Sequence, residues 1–232
     1  MGDLSEPVLE GTAASDYERY LRTDELLALQ KGPGEFAHRD EVLFQVVHQS
    51  SELWLKLASF EIETAAELVA AQDSEEAARL VGRATLAIRL ITDQLMMLER
   101  LCPWEYTEVR RVLGHGSGFD SPGFNRLRDA APLLGEAFSA ELKRRRRSLV
   151  DVYTDRAASR DLYDLAEILV DLDQTMTAWR VIHVKVVQRI IGRSVVGTQG
   201  TPVEVLEKLT PQRLYPELWD VRDQLTELSP PS

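Results

Sequence analysis

Cysteine is almost absent from this sequence, and its scarcity excludes several kinds of protein. The 232 residues include a single cysteine, Cys102. No disulfide can therefore form within the chain, and we expect a reducing, cytoplasmic environment. One cysteine and four scattered histidines also do not supply the clustered ligands of a zinc site. The motifs GxGxxG, GxxxxGK[ST] and GxSxG are missing too, which argues against nucleotide-binding folds and α/β-hydrolases.

Long apolar runs and basic charge are also lacking. No apolar segment is long enough to cross a bilayer, so we expect no membrane partner. The first residues, MGDLSEPVLEG, have neither the basic start nor the apolar core of a secretory signal. We predict that residues 1–15 form a flexible acidic tail and residues 16–232 a single domain. The net charge of −11 argues against nucleic-acid binding, which requires a basic surface.

What the sequence does contain is helical periodicity along nearly its whole length. Apolar residues recur at steps of three and four, and the segments end at Gly, Pro, Ser or Asp residues. Strand-like alternation is confined to Val195–Val196, which is too short to form a sheet. The pattern predicts an all-α fold of long, roughly antiparallel helices. The predicted helices cover 17–30, 40–72, 74–101, 103–114, 124–150, 161–192 and 203–209, and the last of them leads to LYPELWDVRDQL at the C-terminus.

The predicted helix over residues 161–192 carries a histidine where an apolar residue is expected. Its apolar stripe steps by three or four, except for one step of seven from Trp179 to Val186. His183 fills that gap, so the stripe points it at a packed interior. It is either a core histidine with both ring nitrogens hydrogen-bonded or a ligand of a metal or cofactor.

A second histidine lies on an apolar face of another long helix. His48 shares one face of the predicted helix over residues 40–72 with Phe44 and Leu55. Two inward histidines on two long helices can face each other across a flat cofactor, one as axial ligand and one on the distal side. Haem is the cofactor that needs this arrangement. Two unrelated core histidines remain the alternative.

Tyr106 and Arg110 form a third candidate group. They are four residues apart and therefore share one helix face. A guanidinium beside a phenol can bind a carboxylate, since arginine offers two parallel donors and tyrosine adds another. A surface arginine beside a packed tyrosine gives the same spacing. The glycine-rich loop GHGSGFDSPGF that follows would let the backbone approach a ligand closely.

Five segments together resemble the tryptophan 2,3-dioxygenase family of histidine-ligated, haem-dependent aromatic oxygenases. They occur in the order of that family and span nearly the whole chain. The segments are YERYLRTDELLALQ, FQVVHQSSELWLKL, EYTEVRRVLG with SGFDS, WRVIHVKVVQRIIG with GTQGT, and LYPELWDVR. The resemblance implies a helical domain around a b-type haem and insertion of O₂ across the indole C2–C3 bond of tryptophan. The product would be N-formylkynurenine, in tryptophan catabolism by the kynurenine pathway.

The resemblance also assigns residues to the haem. It implies that His183 is the axial ligand of the haem iron and that Ser117, in the SGFDS loop, lies near the haem edge. Trp179, one turn before His183, joins Ser117 among the cofactor-binding residues.

Further residues are assigned to the substrate. The resemblance implies that the catalytic His48 accepts the indole N–H and that Phe44 walls the indole pocket. The carboxylate would bind to Tyr106 and Arg110, and the amino-acid head to Thr198 if one residue is inserted before it. Two tyrosines near the N-terminus would reach into a neighbouring subunit's pocket in a homotetramer: Tyr17 and Tyr20.

The sequence departs from the family pattern in two places. The segment between the SGFDS loop and the helix of His183 is tens of residues shorter than is typical. The loop reads GHGSGFDS, and His115 adds a titratable group, unless it is simply exposed. A substituted tryptophan as substrate, or insertion of one oxygen atom, is therefore an alternative. A non-catalytic haem- or indole-binding protein is another, and a helical scaffold with core histidines a third.

Overall fold

The computed structural model describes residues 6–197 and 202–228, and helices make up nearly all regular structure within those ranges. The single isolated bridge between Val196 and Pro202 is the only extended pairing in this part of the chain. The predicted all-α fold is confirmed. The helices are α1 (Asp16–Leu21), α2 (Thr23–Leu27), α3 (Asp40–Ala70), α4 (Ser74–Leu98), α5 (Tyr106–Val112), α6 (Pro122–Arg144), α7 (Leu149–Thr154), α8 (Arg160–Ile191), α9 (Glu204–Leu209) and α10 (Pro216–Leu228).

The ends of the long helices follow the local signals in the sequence. Helix α3 begins at Asp40, and α4 begins after Asp73, whose carboxylate accepts the Glu76 N–H at 3.1 Å. Helix α8 ends before Gly192, which has a φ of 89° that favours glycine. The predicted starts of α3 and α4 and the predicted end of α8 are confirmed.

Three boundaries differ from the prediction. The segment over residues 17–30 is two helices, because Arg22 takes a left-handed φ of 53° at their junction. The helix predicted from Pro103 begins only at Tyr106. The segment over residues 124–150 is also divided, since α6 ends at Arg144 and α7 begins after a capping box at Ser148. Such breaks depend on single-residue turns that apolar periodicity does not register.

The long helices pack around α4 and α3. Helix α3 lies against α4 on one side and α6 on the other, and α8 packs against α4. The apolar stripe of α8 is buried as predicted, at Leu162, Leu165, Leu169, Leu172, Met176, Val186 and Ile190. From Leu162 to Met176 it joins the main core, which also includes Phe138 of α6 and Leu218 of α10. The histidine-bearing helices are thus supported by a common core.

A smaller apolar cluster closes the end of the bundle at which α8 ends. Val47 of α3, Leu95 and Leu98 of α4, and Val186 and Ile190 of α8 are buried there. Partly buried side chains pack on this cluster, among them Phe44, Tyr106 and Trp179. The cluster therefore forms the floor beneath the candidate site residues.

The segments at both ends of the described chain are tied to helices. The N–H groups of Val8 and Leu9 donate to the Asp16 carboxylate, and the Arg19 guanidinium donates to the Ala13 carbonyl at 2.8 Å. Near the other end, the buried Asp173 carboxylate of α8 accepts the Trp219 indole N–H at 2.9 Å. None of the helices in the described ranges is long and apolar enough to cross a membrane.

Candidate active site

His183 lies in the last third of α8 with its ring largely enclosed. Burial, together with a smaller effect of the nearby His48, lowers the pKa of its imidazole to about 4. The ring is therefore neutral at pH 7. Within residues 6–197 and 202–228, no hydrogen bond involves its ring nitrogens. This favours the ligand interpretation over a core histidine with both nitrogens bonded.

His48 lies on α3 and is close enough to His183 for their charges to interact. Its Nδ1 is 2.7 Å from the carbonyl oxygen of Phe44. A carbonyl only accepts, so Nδ1 carries the proton and Nε2 keeps a free lone pair. The side chain is more exposed than its position on the apolar face predicts. Burial of the ring by neighbouring atoms still lowers the pKa of the His48 imidazole. The hydrogen bond to the Phe44 carbonyl and the negative charge of Glu52 act in the opposite direction and raise it.

Aromatic rings line both histidines. The Phe44 ring lies 4.0 Å from the His48 ring and 5.8 Å from the Tyr106 ring, measured between centroids. On the other side, the Trp179 indole is stacked on His183 at 4.9 Å with an interplanar angle of 13°. Flat apolar surfaces thus flank the space near both imidazoles, which suits a planar ligand.

Tyr106 and Arg110 are brought to the same region by α5. Burial raises the pKa of the Tyr106 phenol, and the positive charge of Arg110 partly opposes that effect. Arg110 Nη2 donates to the carbonyl oxygen of Val196 at 2.5 Å. This bond holds the segment after α8 against α5. Thr198 itself lies outside the described residues.

The loop before α6 is held by its own polar groups. The Ser117 hydroxyl accepts the Phe119 N–H at 3.3 Å, and the Asp120 carboxylate accepts the Ser117 N–H at 3.1 Å. These bonds form a capping box on a short 3₁₀ turn, Gly118–Asp120. His115, at the start of the loop, is exposed. The role of Ser117 near a haem stays a prediction.

Two predicted site residues lie apart from this group. The side chains of Tyr17 and Tyr20, on α1, are 68% and 78% exposed. Exposure of this extent is what contact with another subunit would require. Their predicted role stays a prediction.

Two residues near the histidines were missed by the sequence reasoning. Phe124 at the start of α6 packs on Trp179, with ring centroids 4.1 Å apart. Glu52 of α3 accepts hydrogen bonds from the Ser121 hydroxyl and the Gly123 N–H. The signal for Glu52 was its spacing of four from His48, which places both on one helix face. Nothing local in the sequence indicates Phe124.

A third missed group lies at the start of α3. His38 is 3.8 Å from the Asp40 carboxylate and 3.9 Å from the Glu105 carboxylate, measured from its ring nitrogens. The three could surround a cation. However, the Asp40 N–H already donates to His38 Nδ1 at 3.3 Å. The group connects the start of α3 to the residue before Tyr106.

The fold and these residues define a class of protein before any comparison. It is an all-helical protein with two neighbouring histidines on different helices, aromatic rings beside both of them, and a tyrosine–arginine pair suited to a small carboxylate. The chain belongs to the tryptophan 2,3-dioxygenase family, whose sequence model matches residues 4–147 and 135–225.

Curated relatives cover nearly the whole chain. The tryptophan 2,3-dioxygenase of Bacillus thuringiensis subsp. konkukian is 32% identical over 260 residues, covering 90% of this chain and 92% of the relative. The tryptophan 2,3-dioxygenase of Myxococcus xanthus is 32% identical over 281 residues, covering 99% of this chain and 95% of the relative. The tryptophan 2,3-dioxygenase of Erythrobacter litoralis is 32% identical over 258 residues, covering 89% of this chain and 97% of the relative.

The comparisons also locate a difference in length. All three alignments are longer than the 232 residues of this chain, because the relatives carry residues that it lacks. The two pieces of the family match overlap at residues 135–147, in the last part of α6 and the turn after it. This agrees with the shortened segment predicted between the SGFDS loop and the helix of His183.

Proposed function

We propose that this protein is a haem-dependent dioxygenase that inserts both atoms of O₂ across the indole C2–C3 bond of L-tryptophan. The product is N-formylkynurenine, which contains all atoms of tryptophan and O₂, so no reductant is consumed in the overall reaction. The observation that carries the proposal is the neutral imidazole of His183, which has no hydrogen bond to the described residues and lies near His48 of another helix. A core histidine would not require this arrangement.

The residues around His183 fit a haem b group. Iron needs a neutral imidazole with a free nitrogen, and the low pKa of His183 keeps its ring neutral at physiological pH. Trp179 packs on that ring, and its buried indole N–H has no hydrogen-bond partner among the described residues. When bound, haem supplies the oxygen chemistry, and the protein supplies ligation, orientation and a site shielded from water.

The substrate side is supplied by α3 and α5. Arg110 and Tyr106 bind the tryptophan carboxylate, with Thr198 at the amino-acid head. Phe44 packs on the indole ring. His48 accepts the indole N–H through Nε2, because its Nδ1 proton already bonds the Phe44 carbonyl. Holding both ends of the substrate fixes the C2–C3 bond relative to the haem, and such orientation can contribute many orders of magnitude to a rate.

The assembly forms part of the same proposal. We propose a cytoplasmic homotetramer of single-domain subunits in which Tyr17 and Tyr20 complete a neighbour's pocket and Ser117 lies at the haem edge. The exposure of both tyrosines supports the first role. The single cysteine supports the location. The shared core of α3, α4, α6, α8 and α10 supports a single domain over residues 16–232.

Haem binding by His183 is tested by absorption spectroscopy of purified protein after haem reconstitution. We expect a Soret band in the wild type and in the matched control His38→Ala, which removes a histidine that lies beside Asp40 and Glu105. His183→Ala should lose that band, while His48→Ala should keep it with a shifted maximum. A Soret band of normal intensity and position in His183→Ala would exclude His183 as the residue that holds the haem iron.

A further inference from the structure

Glu52 faces the first turn of α6 and not the solvent. It follows His48 by four residues on α3 and so lies one turn further along the same face. One carboxylate oxygen accepts from the Ser121 hydroxyl, and the other accepts from the Gly123 N–H at 2.9 Å. Both donors belong to the junction between the Ser117 loop and α6. Glu52 therefore connects the helix of His48 to that junction.

The packing around Gly123 shows how closely the two helices meet there. A Cβ atom at Gly123 would lie 2.6 Å from the Glu52 carboxylate and 2.6 Å from the Leu55 Cβ. Any side chain at this position would push α6 away from α3. The hydrogen bond from the Gly123 N–H is thus possible because the residue is glycine.

The next residue continues the connection toward the other histidine. Phe124 packs on Trp179 with 4.1 Å between ring centroids, and Trp179 stacks on His183 at 4.9 Å. The path therefore runs from Glu52 on α3, through the first turn of α6, to His183 on α8. Helices α3 and α8 both pack against α4, and this path is a second connection between them, through α6.

The chemistry of Glu52 differs from that of a nearby glutamate on the same helix. Glu63 also joins α3 to α6, but it does so through a bidentate ion pair with Arg126, with nitrogen–oxygen distances of 2.8 and 2.6 Å. Among the ion pairs of the described residues, none includes Glu52. Its two carboxylate oxygens are used as acceptors for one hydroxyl and one backbone amide. Such a contact fixes a local backbone position, whereas the Glu63 pair lies on the surface.

We propose that Glu52 is a positioning residue that fixes the first turn of α6 and, through Phe124 and Trp179, the orientation of His183 relative to His48. The same contact anchors the end of the loop that carries Ser117. This inference rests on the proposed function for its link to haem, but the contact itself can be tested without haem. It adds Glu52, Gly123 and Phe124 to the residues on which the reaction depends, none of them touching the substrate.

The contact is tested first by hydrogen exchange on the apoprotein. Glu52→Gln has the same size but can offer only one acceptor oxygen, and Glu52→Ala offers none. We expect amide exchange in residues 118–125 to rise about tenfold in Glu52→Ala and less in Glu52→Gln. Glu63→Gln, the matched control on the same two helices, should leave that segment unchanged. Equal exchange in all four proteins would overturn the contact.

The positioning role is tested next on the haem-loaded protein. We expect Glu52→Ala to transfer haem to apomyoglobin about tenfold faster, to shift the Soret maximum, and to lower kcat more than it raises KM. Gly123→Ala, which disturbs the same junction with the carboxylate intact, should act in the same direction. A variant that merely lost stability would unfold at lower temperature but keep the spectrum and the kcat of its folded fraction, and that result would contradict positioning.

Failure of the proposed function would give results that differ from those expected if only the positioning role of Glu52 were wrong. If the wild type and Glu63→Gln neither bound haem nor oxidised tryptophan, the haem assignment would fail while the hydrogen-exchange result still decided the contact. If both were fully active and Glu52→Ala matched them in haem transfer, spectrum and kcat, the positioning role would be wrong and the proposed function would stand.

Discussion

The Trp179 indole is stacked on the His183 imidazole, with ring centroids 4.9 Å apart and planes inclined by 13°. Because the two residues are four apart on α8, the helix itself places one ring over the other. Phe124 also packs on the indole, with ring centroids 4.1 Å apart. The orientation of the histidine is therefore set by packing before any ligand binds.

Replacing Trp179 tests this packing. Trp179→Leu removes the stacked surface and should lower the free energy of unfolding by about 2 kcal/mol, as for other large-to-small core changes. It should also broaden the Soret band of the haem-loaded protein. Trp179→Phe keeps an aromatic ring and removes an indole N–H that has no partner among the described residues, so stability should change by less than about 1 kcal/mol. Equal spectra for both variants would contradict the stacking role.

Arg110 is expected to act mainly on substrate binding. Arg110→Ala should raise the KM for tryptophan about 10- to 100-fold, because it removes charge-assisted bonds to the carboxylate. Haem content should not change. Arg110→Lys keeps the charge but loses the bidentate geometry and the bond to Val196, so an intermediate KM is expected. Steady-state kinetics with matched haem occupancy measures both. An unchanged KM in Arg110→Ala would show that Arg110 does not bind the tryptophan carboxylate.

The free Nε2 of His48 predicts a specific substrate preference. Wild-type protein should prefer tryptophan to 1-methyltryptophan, because the methyl group removes the indole N–H that Nε2 accepts. In His48→Ala the ratio of the two kcat/KM values should fall toward one, by about tenfold, which corresponds to one hydrogen bond. Measuring kcat/KM for both substrates with both proteins isolates the contribution of the hydrogen bond between the indole N–H and His48. An unchanged ratio would place the indole nitrogen elsewhere.

The low pKa of His183 predicts how the apoprotein responds to acid. An unfolded histidine titrates near 6.5, whereas the folded His183 titrates at about 4 because of burial and the nearby His48. The unfolded state therefore binds the proton first, and stability is lost as pH falls from about 6.5 to about 4. The loss from this residue amounts to about 3 kcal/mol. Denaturant unfolding of the apoprotein should show it, and His183→Gln should lack it. Parallel curves for the two proteins would contradict this assignment.

The fold could be predicted from the sequence because its helices are long and strongly periodic. The apolar stripe from Leu162 to Ile190 is buried as expected. The Asp73 carboxylate caps the start of α4, and Gly192, which has no side chain, follows the end of α8. The breaks at Arg22 and Arg146 were not predictable, because both are non-glycine residues in the left-handed region. Such residues depend on tertiary contacts, such as the ion pair of Arg145 with Asp161 beside the second break.

The candidate site was predictable only in part. Apolar periodicity identified His48 and His183 as unusual, and the two helices bring them close enough for their charges to interact. The resemblance supplied the roles of Tyr106 and Arg110. Glu52 and Phe124 could not be found this way, because their partners are more than 50 residues away in sequence and meet them only where α3, α6 and α8 converge.

The central claim is tested most directly by the fate of molecular oxygen. Haem-loaded protein is mixed with tryptophan under ¹⁸O₂ and the reaction is quenched quickly. The masses of the products are then measured by mass spectrometry. We predict N-formylkynurenine carrying both labelled atoms, formed by the wild type and lost in His183→Ala. A product with a single labelled atom would mean that the enzyme inserts one oxygen atom and releases the other as water. No labelled product from tryptophan or its methylated forms would contradict an oxygenase altogether.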